Sequence, residues 1–139
     1  MPNPIQLNGA GVDLSRRIKT SAAVAASPAA GTITTICTLT ITEDLAVTAG
    51  VLLVATASYT VGTNGVTALF QIRQTNTTGG IIAATGADTV VATNLRTMTL
   101  QGFDTAPVIP GQVYVLCLTV GSGSASSAVA SAQLVAIVI

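Results

Sequence analysis

The sequence predicts an all-β protein, an antiparallel two-sheet jelly-roll sandwich of about eight strands with an extended N-terminal arm. Three observations carry this prediction. Apolar residues recur at every second position through most of the chain, the period of a strand with one buried face. Turn residues (Gly, Pro, Asn, Ser) punctuate these runs at short intervals. No stretch carries the three-to-four-residue apolar spacing of an amphipathic helix.

Residues 1–30 read as the arm. Pro2, Pro4, Asn8, Gly9 and Gly11 disfavour regular structure. The charged tract from Asp13 to Lys19 follows, and Ala-rich Ser21 to Gly31 reads as a linker or a loose strand. The body then spans residues 31–139. From Thr32 to Thr42, Ile33, Cys37, Leu39 and Ile41 fall on one face and threonines on the other. Glu43-Asp44 turns the chain. Val51 to Val61 carries Leu53, Ala55, Ala57 and Tyr59 on one face, and Gly62-Thr63-Asn64-Gly65 is a hairpin signal. Val66, Ala68, Phe70 and Ile72 alternate next, with Arg73 pointing the other way.

After the turn at Asn76 to Gly80, Ile81–Thr85 and Thr89–Thr93 form two short strands, and Leu95–Phe103 a longer one. The segment Asp104 to Gly111, with Pro107 and Pro110, is a loop. Gln112–Val120 is apolar on both faces, as expected of a strand covered on both sides. Gly121 to Ser127 turns the chain into a last long apolar strand, Ala128–Ile139.

Charge is scarce. Five basic and five acidic residues make up 7% of the 139, with no histidine, zero formal net charge and a mean hydropathy of +0.72. An ordinary soluble domain is about a quarter charged. A lone domain with so few charges outside would tend to associate, so much of the exterior is expected to face neighbours. Threonine-rich strand faces suit that role. They favour β structure and bring no charge that must be desolvated between subunits. A membrane span is not expected, because Thr, Ser or Gly interrupts every hydrophobic run before about 18 residues. A transmembrane barrel would need aromatic girdles, and the chain has two Phe, two Tyr and no Trp. Zero net charge argues against nucleic acid.

No catalytic, cofactor or metal site is expected. Without histidine, proton transfer would fall to Asp13, Glu43, Asp44, Asp88 and Asp104, which all lie in the arm or in turns and read as solvated. Cys37 and Cys117 read as two buried thiols or, if neighbouring strands align them, a disulfide. Arg16, Arg17, Ile18 and Lys19 are the candidate contacts of the arm with a neighbour in an assembly. Tyr59, Phe70, Phe103, Tyr114, Leu116 and Ile137 are candidate core or interface anchors.

The runs Val51–Tyr59, Ala68–Arg73, Gln101–Pro107 and Pro110–Val120, with a Pro-Gly-x-x-Tyr strand start at Pro110 to Tyr114, resemble a single jelly-roll domain of the tumour-necrosis-factor-like or complement-like type. The resemblance covers residues 32–139. It implies a homotrimer of the kind found in bacteriophage capsid decoration (cement) proteins, tail and spore-surface proteins, and secreted ligands. The start Met1-Pro2-Asn3-Pro4-Ile5-Gln6 lacks the basic and apolar segments of a secretory signal. The expected role is therefore a decoration subunit, assembled in the host cytoplasm onto a virion, with itself and a major capsid protein as partners. The alternatives are a subunit of an extracellular or cell-surface filament built by N-terminal strand addition, and a carbohydrate-binding module.

Overall fold

The computed structural model describes residues 14–26, 28, 30–62, 66–86, 88–90, 94–121 and 127–139. They form one helical turn, α1 (Leu14–Arg17), and the strands β1 (Ile18–Ala26), β2 (Ile33–Ile41), β3 (Val51–Val61), β4 (Val66–Gln74), β5 (Ile81–Ala84), β6 (Asp88–Val90), β7 (Arg96–Asp104), β8 (Gln112–Val120) and β9 (Ser127–Val138). One sheet has the order β1-β9-β3-β7 and the other β2-β8-β4-β5, with β6 also paired to β4. All these pairings are antiparallel. Apart from the β4–β5–β6 stretch, every connection crosses from one sheet to the other, which makes the sandwich a jelly roll.

Alternation builds the core. Along β3 every odd position from Val51 to Val61 is buried, while the even positions are half-buried or exposed. Val66, Ala68, Phe70 and Ile72 of β4 and Tyr114, Leu116 and Leu118 of β8 meet them from the facing sheet, while Leu134 and Ala136 of β9 lie beside them in their own sheet. The rings of Tyr59 and Phe70 touch edge to face, their centroids 4.9 Å apart at 63°, a favoured aromatic geometry. One glycine is required by packing. At Gly50 (φ 147°) a Cβ would collide with the carbonyl oxygen of Asp104, so only glycine lets β3 enter beside the end of β7.

Two expectations need correction, and at the cysteines the first of the two readings holds. The boundary between arm and body does not fall at residue 30, because Ile18–Ala26 pairs with β9 from Ile18↔Ile137 to Ala26↔Val129. Alanine gives little contrast between faces and has low β propensity, so this strand is specified by its neighbour. The period of β2 breaks at a bulge between Thr35 and Cys37, which buries both Ile36 and Cys37. Ile33 therefore leaves the face of Leu39 and Ile41 and aligns with Thr119. Cys37 and Cys117 are free thiols. Cys37 faces the core, whereas Cys117 faces the other side of the same sheet in register with Thr35. The expected turns at 63–65 and 122–126, residues 91–93 and the arm before residue 14 lie outside the described residues.

Candidate assembly surface

The sheet β1-β9-β3-β7 turns one face to the core and the other outward, and its register sorts the outward residues into rows. The first row, from β1 to β7, is Ile18, Ile137, Leu52 and Phe103. The second is Thr20, Val135, Val54 and Gln101. Ala22, Gln133, Thr56 and Thr99 form the third, and Ser131, Ser58 and Thr97 continue the face. None of these residues is charged. The face grades from aliphatic and aromatic at one end to hydroxyl and amide at the other. Ile18 is 41% and Phe103 42% exposed, with Ile137 and Leu52 half-buried between them. Toward the hydroxyl end the side chains shorten, leaving an open depression of about 390 Å³ lined by Thr56, Ser58, Thr97, Thr99, Ser131 and Gln133.

The outer face of the other sheet differs. Val115 and Cys117 point away from the core yet are buried. Opposite them on β4 stand Arg73 and Gln71. The Arg73 guanidinium donates to Gln71 Oε1 from Nε (3.0 Å) and Nη2 (2.8 Å), and to the Gly79 carbonyl from Nη1 (2.9 Å). Held flat in this way, the stem of Arg73 gives β8 apolar cover and keeps its charged head at the surface. Around it lie the exposed threonines Thr35, Thr38 and Thr40.

The anchors named from sequence divide between core and surface. Tyr59, Phe70, Tyr114 and Leu116 are core residues. Phe103 and Ile137 belong to the outward apolar row, where Ile18 joins them. Leu52 completes that row and was not among the sequence candidates; its signal was the even-numbered phase of β3, opposite the core face.

The basic tract lies against the chain's own body. Arg17 Nη1 donates to the carbonyls of Ala46 (2.9 Å) and Val138 (3.4 Å), Lys19 forms an ion pair with Glu43, and Arg16 is exposed. The Lys19 hydrogen bond holds the Glu43 carboxyl below the usual carboxylate range. Asp104 also departs from expectation, being buried at the end of β7. Its Oδ2 accepts from the Tyr114 hydroxyl (2.8 Å) and Gln74 Nε2 (2.9 Å), and its Oδ1 from the Ala106 amide (3.0 Å). Burial first, and the Asp104 carboxylate second, push the Tyr114 phenol far above its ordinary range. This cluster satisfies buried polar groups and braces the loop after β7. Burial likewise raises both thiols.

No protein-family model matches the chain, and no curated protein matches it in sequence. Solved structures do match in shape. A chain from the structure of infectious bursal disease virus Gx strain superposes with a TM-score of 0.55 at 13% identity, over 88% of this chain and 32% of that one. A chain of the Bacillus endospore appendages, a family of disulfide-linked pili, gives 0.48 at 14% identity over 88% of both chains. The tumour necrosis factor Eiger from S. frugiperda gives 0.47 at 8% identity, over 88% of this chain and 93% of that one. At 13% identity the likeness to the virus chain is one of fold.

Proposed function

We propose that this chain is a structural subunit that self-associates through its uncharged outward sheet face, and that its setting is a virion, as a decoration subunit on a shell built by a major capsid protein. One observation carries the reading: the outward rows of β1-β9-β3-β7 contain no charge and expose Ile18 and Phe103 side by side with Ile137 and Leu52. Covering such a face removes apolar surface from water, at about 25 cal/mol per Å², with no charge to desolvate. The jelly-roll fold shared with a chain of a virus structure supports the setting at the level of architecture.

Sedimentation velocity over a wide concentration range, with negative-stain microscopy of the same samples, tests the proposal. Discrete closed oligomers are expected. A monomer at every concentration would overturn self-association, and long polymers would overturn the decoration role in favour of a filament.

A further inference from the structure

Resting on that reading, we infer that two copies of this chain pack face to face through β1-β9-β3-β7, about a two-fold axis that runs along the strands. The grading of the face selects the axis. When two identical sheets meet, an axis lying in the contact plane along the strands sets each row against its own counterpart. The apolar row then meets an apolar row, and hydroxyls meet hydroxyls. An axis across the strands through the middle of the face would place Ile18, Ile137, Leu52 and Phe103 on serine and threonine, and one shifted onto the apolar row would leave the rest of the face uncovered.

The same axis exchanges left and right, so β1 of one copy lies over β7 of the other and β9 over β3. Ile18 meets Phe103 of the second copy, and Ile137 meets Leu52 of the second copy. The relation holds in both directions, as an isologous contact requires. Aligned sheets crossing by about 30° pack well in this way.

The area is sufficient. Strands about 4.8 Å apart, rising about 3.3 Å per residue, make the face about 19 Å by 30 Å. The pair of faces covers about 1,150 Å² before side-chain relief is added, close to the ~1,200 Å² at which stable specific interfaces begin. The trimer implied by the jelly-roll resemblance needs a second, different surface to receive this face. Among the described residues the other exposed large apolar side chains, Ile81, Leu95, Val108 and Ile139, lie outside these rows. The opposite sheet exposes threonine around a fastened arginine, with a single large exposed apolar side chain among its described residues, Ile81 on the β5 edge in register with Arg73, and no apolar row. The best complement to the apolar row is the same row of a second copy.

Paired cysteines test the geometry. Within one chain, positions 18 and 103 are separated by three strand spacings, about 14 Å, too far for a disulfide. Oxidation of the double variant Ile18→Cys/Phe103→Cys is expected to convert most of the protein to a species of twice 13.8 kDa on a non-reducing gel. Either single variant should give none. A trimer or a ladder would overturn the two-fold arrangement. Oligomers that form without cross-linking would overturn this contact but leave self-association standing, and a protein monomeric at all concentrations would overturn both. Leu52→Asp supplies an independent reading, with an expected halving of the sedimenting mass, whereas Thr38→Asp on the opposite sheet leaves it unchanged. Equal behaviour of these two variants would also overturn the assignment.

Discussion

The outer faces of the two sheets start from similar material and end differently. β8 and β9 are both rich in apolar residues in each phase of their alternation. On β8 the outward Val115 and Cys117 are buried beneath neighbours on β4, where Arg73 is tied down by Gln71 and Gly79. On β9 the outward Val135 and Ile137 stand between Val54 and Leu52 of β3 and Thr20 and Ile18 of β1, with no long polar side chain among the described residues fastened across them, and the face stays open. One face is completed by its own long side chains; the other is left for something to cover. A two-sided apolar strand is therefore not in itself an interface signal. What its cross-strand neighbours can fold over it decides the matter.

Matched substitutions break this comparison most sharply. Val115→Asp puts a charge where 2% of the residue is exposed and should cost more than about 3 kcal/mol of stability. Val54→Asp lies on the open face and should cost about 1 kcal/mol, mainly β propensity, while abolishing self-association. Urea unfolding and sedimentation of both proteins read the two effects, and similar losses of stability would erase the distinction. Next in size, Arg73→Ala strips the cover from β8 and leaves the buried Gln71 oxygen without its donor. A loss of about 2–3 kcal/mol is expected, with faster thiol labelling of Cys117 than of Cys37; unchanged labelling would show that Arg73 is not the cover.

Tyr114→Phe tests the bond that closes the loop after β7, at an expected cost of about 1.5–2 kcal/mol. It also carries a pH signature. Because the folded phenol titrates above its unfolded value, its contribution is complete below about pH 10 and is lost as pH rises beyond that. The wild type should therefore lose stability in alkali more steeply than the variant, in melts followed by circular dichroism. The smallest effect belongs to Glu43. Its folded carboxyl titrates below the unfolded value, so its contribution is present above about pH 4.3 and fades as pH falls through the lowered folded value. Glu43→Gln should lower stability slightly above about pH 4.3 and not at all below the folded value, which flattens that part of the acid limb.

Much of the fold was legible because alternation is a local signal. β3, β4, β7 and β8 follow the phases read from the sequence, with Tyr59, Phe70, Tyr114 and Leu116 in the core. What escaped depended on partners distant in the chain. β1 has an alanine-rich sequence with little contrast and exists as a strand because β9 pairs with it. The bulge at Thr35–Cys37 is set by its pairing with β8. Asp104 looked like a turn residue, and only the approach of Tyr114 and Gln74 makes it a buried acceptor. Ile18, Phe103 and Ile137 were each named for separate reasons. Their union in one row with Leu52 arises from the register of four strands spread over the chain.

The position of β9 between β1 and β3 has a consequence in time. During synthesis β1, β3 and β7 all leave the ribosome before β9, and without it no sheet joins β1 to the others. The apolar row does not exist as a row until the last strand has slotted into the middle. Pairings between strands so far apart in sequence form slowly, so the proposed face-to-face contact would wait on complete folding. An unfinished or misfolded chain would lack the surface that the proposed pairing uses.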